Sequence, residues 1–318
     1  MAERIKVLIH AIKDQALNIK TYELVSPDGE PLPLFTPGAH IDFFLPDNLI
    51  RQYSLSNSAD ERNRYVVGIQ KEEQGRGGSC LIHDQFKIGD EIEISAPRNN
   101  FKLDETAQRY KLIAGGIGIT PIMSMARRLK SIGKPFQLYY ACRNEQRAAF
   151  IEELRSTELS KHVVLSYDDV HGPLNTLALF GRPEPNVQIY CCGPTGLMDA
   201  VKSATNPWSE GSVRFEHFSV SEDIGPKDDD GSFEVIIQST GRVLKIPKDK
   251  SILSVLEENG IFIDHACCEG ICGTCETGLI DGEADHRDMI LTEAEKQENK
   301  QIMVCCSRAK TSTLTLDL

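Results

Sequence analysis

Near its C-terminus the chain carries Cys267, Cys272, Cys275 and, after a gap of 29 residues, Cys305. A C-x4-C-x2-C run with a distant fourth cysteine is the plant-type ligand pattern for a [2Fe–2S] cluster. Such a cluster passes electrons one at a time. The chain has ten cysteines, and six of them lie between Cys267 and Cys306. Structural zinc is the competing reading, but zinc sites pair cysteines as two short hooks, and the second hook is missing. Cys268 could replace Cys267, at the cost of shortening the first spacing. Cys306 could replace Cys305, although neighbours on a strand face opposite ways, so only one of the two can look at the cluster. Cys305 is taken.

A disulfide scaffold is not expected. The start Met-Ala-Glu-Arg-Ile-Lys lacks the apolar core and cleavage site of a signal peptide. No run approaches the roughly 18 apolar residues of a membrane span. A reducing, cytoplasmic setting makes clustered thiols ligands rather than bridges.

Two further groups of residues suit phosphates. Arg51-Gln52-Tyr53-Ser54 reads as a strand whose side chains at 51 and 53 share a face. A guanidinium and a phenol ring side by side can grip a phosphate while stacking on a flat ring. Gly75-Arg76-Gly77-Gly78-Ser79 opens a helix, where bare amides form an anion cradle. Taken singly, the first is an ordinary edge strand and the second a glycine-rich turn. Together they point to a flavin nucleotide.

The run Ala114-Gly115-Gly116-Ile117-Gly118-Ile119-Thr120-Pro121 stands between an expected strand and an expected helix. Its glycines permit close approach to a pyrophosphate, and Pro121 suits a first helical turn. It is not G-x-G-x-x-G, and position 138, about 20 residues on, is Leu rather than an acid. The polar residue nearby is Arg143. The standard dinucleotide fold is therefore disfavoured, while a related nicotinamide site is not. Cys192-Gly193-Pro194 ends a later strand, where α/β sheets place their ligands. A plain strand-end turn is the alternative there.

The elements that must hold these groups fall into blocks. Residues 1–103 read as short strands, among them 41–45, 65–69 and 91–95, with one short helix after Gly78-Ser79, which suggests a small antiparallel barrel. Residues 104–220 alternate apolar strands (110–114, 137–141, 162–166, 187–191) with helices (121–130, 150–155, 196–204), which implies a parallel α/β sheet. Residues 221–232 continue an acidic, Gly/Pro-punctuated run that reads as a linker. In 233–318, strands 233–238 and 243–246 precede a helix N-capped by Ser251 and stopped at Gly260; after the cysteine loop a strand returns over 302–306. The formal net charge is −12, and residues 221–318 contribute 20 acidic against 10 basic residues. That balance argues against nucleic-acid binding and suits either steering towards a basic protein face or plain solubility.

The ordered set RQYS (51–54), GRGGS (75–79), GGIGITP (115–121), YCCGP (190–194), FEHF (215–218), ADHRDMIL (284–291) and the cysteine array resembles the phthalate dioxygenase reductase family. Vanillate demethylase reductases and related partners of Rieske oxygenases belong to it, and the likeness runs the length of the chain. The resemblance implies an FMN-binding barrel, an NAD-binding α/β domain and a C-terminal ferredoxin domain of β-grasp shape. It implies that Arg51, Gln52, Tyr53, Ser54, Gly77, Gly78 and Ser79 hold FMN. Thr120 and Phe218 would flank its ring, with Gly115, Gly116, Cys192, Gly193 and Pro194 around the nicotinamide. Gln70 departs from the pattern, since close relatives often carry Lys there. NADH would supply hydride pairs, FMN would split them, and the cluster would pass single electrons to a Rieske-type oxygenase. No acid–base dyad is needed, and Glu216 and His286 read as structural. The alternatives are a stand-alone flavin reductase and a non-enzymatic zinc or redox module.

Overall fold

The computed structural model describes residues 4–46, 49–156, 158–218, 227 and 230–318. Its contacts group Ala2–Glu216 into one compact unit and His217–Leu318 into another.

In the first unit β1 (Arg4–Ala16), β2 (Ile19–Val25), β3 (His40–Phe44), β4 (Ile50–Ser54), β5 (Tyr65–Gln70) and β6 (Glu91–Ser95) form an antiparallel sheet in the order β4-β3-β6-β1-β2-β5. The two ends meet through a Leu55–Val67 bridge and a Ser56 N–Val66 O bond of 2.8 Å, which close the sheet into a barrel. Alternate residues such as Val7 and Ile9, Ile41 and Phe43, and Val67 and Ile69 fill the interior, as a period of two dictates. Helix α1 (Gly78–Gln85) adds Ile82 to that core.

The same unit holds a parallel sheet of β7 (Arg109–Gly115), β8 (Phe136–Cys142), β9 (Val163–Tyr167), β10 (Val187–Cys192) and β11 (Val213–Glu216), in the order β11-β10-β7-β8-β9. The chain begins in the middle, runs outward to β9 and returns to the other side of β7. The direction of winding therefore reverses between β7 and β10, the place where open α/β sheets bind ligands. Helix α2 (Ile119–Ser131) buries Ile122, Met123, Met125, Ala126 and Leu129 in the core of this sheet. Helices α3 (Ile151–Leu154), α4 (Asp168–His171), α5 (Thr176–Phe180) and α6 (Thr195–Ala204) complete it.

The second unit begins with the hairpin of β12 (Phe233–Ile237) and β13 (Arg242–Ile246), followed by α7 (Ile252–Glu258), which Ser251 caps by accepting from Ser254 N at 3.1 Å. After the cysteine loop come β14 (Glu276–Asp281), β15 (Ala284–Asp285), α8 (Glu293–Glu298), β16 (Gln301–Met303), β17 (Arg308–Ala309) and β18 (Thr313–Leu316). The sheet order is β13-β12-β18-β14-β16, with β12 and β18 parallel. Ile252, Leu253, Val255 and Leu256 of α7 join its core, giving the β-grasp arrangement. One expected element is corrected. The strand of 302–306 ends at Met303, and residues 304–306 form a turn, so strand alternation does not decide between Cys305 and Cys306.

Most of the expected linker, 221–232, lies outside the described residues. Its end is held firmly. Asp230 accepts from Arg287 at 2.5 and 2.9 Å and pairs with Arg308 Nε at 3.2 Å. Arg308 also donates to the carbonyls of Gly231, Pro247 and Lys250. The Arg287 hydrogen bonds hold the Asp230 carboxyl down at about 2. A depressed carboxylate stabilises the fold above its ordinary pKa and loses that contribution as pH falls through the depressed value, here worth about 2 kcal/mol. Asp230→Asn should therefore lower the unfolding free energy by about that amount at pH 7. The gap to the parent protein should shrink between roughly pH 4 and 2 in acid-denaturation curves. A gap that stays constant over that range would assign the effect to something other than the charge.

Candidate cofactor sites

The four expected cluster ligands are buried and face one another. The Cys267 thiol hydrogen-bonds with those of Cys272 and Cys305, and Cys275 with Cys305. These contacts hold Cys267 and Cys275 below the ordinary thiol range, while Cys272 and Cys305, as the proton-bearing partners, are pushed up. Backbone amides add negative-charge support: Glu269 N donates to Cys267 Sγ at 3.3 Å and Thr274 N to Cys272 Sγ at 3.4 Å. Cys268 is exposed at a left-handed φ of 55°, and the Cys306 thiol turns towards Met303 O at 3.8 Å. A plant-type [2Fe–2S] cluster is held by four cysteine thiolates, and the buried quartet fits one.

Arg51 and Tyr53 do share a face of β4. Arg51 donates to Ile50 O at 2.8 Å and to Arg76 O at 2.5 Å, which lays its stem across the start of α1. A Cβ at Gly78 would stand 2.5 Å from Arg51 Cγ, so only glycine lets the guanidinium lie there. Gly77 precedes the helix at φ 80°. A cation beside free helical amides fits a phosphate group. Tyr53 packs edge-on against Phe43, with centroids 5.1 Å apart, and burial pushes its hydroxyl pKa up. Ser54 is buried. The other two polar side chains are already engaged: Gln52 donates to Asp42 Oδ1 at 3.1 Å on the opposite face, and Ser79 Oγ accepts from Glu72 N at 3.0 Å.

At the winding reversal, Gly115 and Gly193 meet backbone to backbone. A Cβ on Gly193 would lie 2.9 Å from both Cα and N of Gly115; one on Gly115 would lie 2.6 Å from Pro194 Cδ. Gly116 turns at φ 51° with open space beside it. Cys192 is fully buried, and burial pushes its thiol pKa well up. Thr120 is buried too; its hydroxyl donates to Ile117 O at 3.0 Å, and its methyl presses on Gly68 of β5, tying the glycine turn to the barrel. Phe218 is 39% exposed and groups with the second unit.

Three features were not legible as site residues. Glu216 ends β11 in register with Cys192. Its Oε2 is buried without a partner, and burial pushes the carboxyl up to about 8. Tyr140 is buried in β8; its hydroxyl donates to Gly116 O at 3.1 Å and accepts from Ala149 N at 3.0 Å, bracing the glycine turn. Two acids stand one strand further out than position 138. Asp168 and Asp169 follow β9, and Asp169 N donates to Arg143 O at 3.1 Å. The signals were a lone Glu in FEHF, a Tyr within an apolar run and an Asp pair at a strand end.

Comparisons with known proteins identify the family. Residues 235–310 match a family described as a 2Fe–2S iron–sulfur cluster binding domain, and residues 112–173 one described as an oxidoreductase NAD-binding domain. The chain is 43% identical to a vanillate O-demethylase oxidoreductase from Pseudomonas sp. (strain HR199 / DSM 7063), over 99% of this chain and all of the relative. It matches the structure of phthalate dioxygenase reductase at TM-score 0.74 and 40% identity, covering 99% and 98% of the two chains. It also matches an intact type IV self-sufficient cytochrome P450 monooxygenase at TM-score 0.92 and 35% identity, spanning 99% of this chain but only 41% of that one. The chain belongs to the phthalate dioxygenase reductase family. It is an oxidoreductase whose cofactors are FMN and a [2Fe–2S] cluster, with NADH as donor. Among the described residues no helix is long and apolar enough to cross a membrane.

Gly193→Ala should force its Cβ against the Gly115 backbone, distort the crevice and cut NADH oxidation at least tenfold, with flavin content unchanged; normal kinetics would remove the crevice from the nicotinamide site. Glu216 gives a pH signature. A carboxyl raised to about 8 contributes stability below its ordinary pKa and loses it as pH climbs through 8. Glu216→Gln should therefore flatten the decline in melting temperature between about pH 5 and 8; an unaltered slope there would mean that the carboxyl is ionised throughout.

Proposed function

We propose that this chain is the reductase component of a Rieske-type oxygenase system, working in the cytoplasm. The observation that carries the reading is the buried quartet Cys267, Cys272, Cys275 and Cys305, whose thiols already face one another. In a chain that also holds a glycine-lined crevice and a phosphate cradle, those thiols are the exit for electrons that enter as hydride. A flavin supplies the conversion of a hydride pair into single electrons.

The remaining work falls to the chain. Arg51, Gly77, Gly78 and Ser79 bind the flavin phosphate; Tyr53 and Ser54 position the rest of the nucleotide, and Gln52 supports the strand through Asp42. Gly115, Gly116, Gly193 and Pro194 admit the nicotinamide nucleotide, with Cys192 and Thr120 shaping the floor of the crevice. Asp168 and Asp169 favour a ribose hydroxyl over a 2′-phosphate, which supports NADH as donor. Phe262, 82% exposed and five residues before Cys267, offers the partner an apolar contact within an acidic surface. A haem monooxygenase is the second reading of that partner, favoured by the likeness to the self-sufficient P450.

Cys275→Ser tests the route. NADH oxidation with a small acceptor such as ferricyanide should survive, while reduction of a purified oxygenase component should fall at least a hundredfold. Undiminished transfer to the oxygenase would show that electrons leave by another path.

A further inference from the structure

His286 and Asp288 take no part in the electron route, yet they concentrate the unsatisfied polar atoms of the second unit. Both side chains are buried, at 7% and 0% exposure, with His286 Nδ1 3.8 Å from Asp288 Oδ1. Neither imidazole nitrogen makes a well-formed hydrogen bond, the Asn299 side chain being a polar neighbour, and Asp288 Oδ1 makes none. The other carboxylate oxygen is satisfied, accepting from Ile290 N at 3.1 Å and Leu291 N at 2.8 Å. A buried polar atom left this way is costly unless a further state of the protein uses it.

The pair lies against the ligand loop. Met289 N donates to Gly270 O at 2.9 Å, and a Cβ on Gly270 would stand 3.1 Å from Asp288 Cα. Gly270 sits midway between Cys267 and Cys272. The other groups facing the imidazole are Lys296, which donates to Asp288 O at 3.0 Å, Lys310, and Asn299, whose amide is committed to Gly282 O and Ala284 N. Burial first, and then the two lysines, favour neutral imidazole; Asp288 opposes them.

We propose that His286 and Asp288 form a proton-accepting pair that couples one-electron reduction of the neighbouring cluster to uptake of one proton. The electron comes from NADH through the flavin, and the proton from water. The new N–H bond forms on the imidazole nitrogen facing Asp288 and closes the 3.8 Å gap into a charge-assisted hydrogen bond. The extra negative charge on the reduced cluster is what the imidazolium offsets. In the oxidised protein the imidazole stays neutral and its Nδ1 remains 3.8 Å from Asp288 Oδ1.

The inference rests on the four-cysteine cluster site, and the experiment separates the two. The visible and EPR spectra of the purified protein first establish the cluster; their absence would sink the site assignment itself. With the cluster present, its midpoint potential is then measured by EPR-monitored titration between about pH 8.5 and 5.5. Proton binding tenfold tighter in the reduced state raises the potential by 59 mV as pH falls across that range. His286→Gln, which removes the titrating group and keeps a polar side chain, should flatten the curve. A flat curve in the parent protein overturns the proposal, and so does a pH dependence that survives in His286→Gln. Should that variant fail to assemble a cluster, proton uptake during reduction of the parent protein, followed with a pH indicator, decides the matter: none taken up is contradiction. A purely structural role would change cluster yield and leave the slope alone.

Discussion

Strand β7 and the end of β10 meet at two glycines with no side chain between them, and what this chain can do with a dinucleotide depends on that close approach. Any larger residue at Gly115 or Gly193 would run into the facing backbone or Pro194 where the winding of the sheet reverses. Sheet order alone puts a crevice there, because helices leave the two strands in opposite directions. Gly116, at φ 51° with open space beside it, borders that crevice. Tyr140 braces the turn from one side, and the Thr120–Gly68 contact fastens it to the barrel that carries Arg51 and Tyr53.

The second unit meets a different demand. Four thiols can share a small buried space only if their charge is answered, and the loop answers it with backbone amides and hydrogen bonds among the sulfurs themselves. Around that loop the unit is stiffened by buried polar contacts. Asp230 is clamped by Arg287 and Arg308, and the segment that includes Arg287 continues into Asp288 and Met289, which grip Gly270. A single run, 284–291, thus secures both the incoming chain and the cysteine loop, which gives that motif a physical basis.

Much of this was legible in the residues. The C-x4-C-x2-C spacing works because a short loop fixes the distances between its thiols, so sequence carries geometry directly. Alternating strands and helices gave the parallel sheet for the same reason: local period follows local structure. What sequence could not reach were pairings across long separations. The choice between Cys305 and Cys306 followed from a turn after Met303 and not from strand alternation. The buried carboxyl of Glu216 acquires its character only when β11 adds beside β10. Gln52, grouped by its neighbours with the flavin residues, spends its side chain on Asp42 across the barrel wall. Likewise, the two acids after β9 lie a strand further from the glycine turn than the usual fingerprint places an acid.

The central claim is that hydride pairs enter this chain and single electrons leave it through the iron–sulfur centre. Anaerobic titration of the purified protein with NADH, followed by visible absorbance and EPR together, tests it most directly. The account predicts bleaching of a flavin band accompanied by the paramagnetic signal of a reduced [2Fe–2S] cluster, with the two filling from the same additions of NADH. Flavin that bleaches while the cluster stays oxidised, or a protein that binds neither, would contradict it.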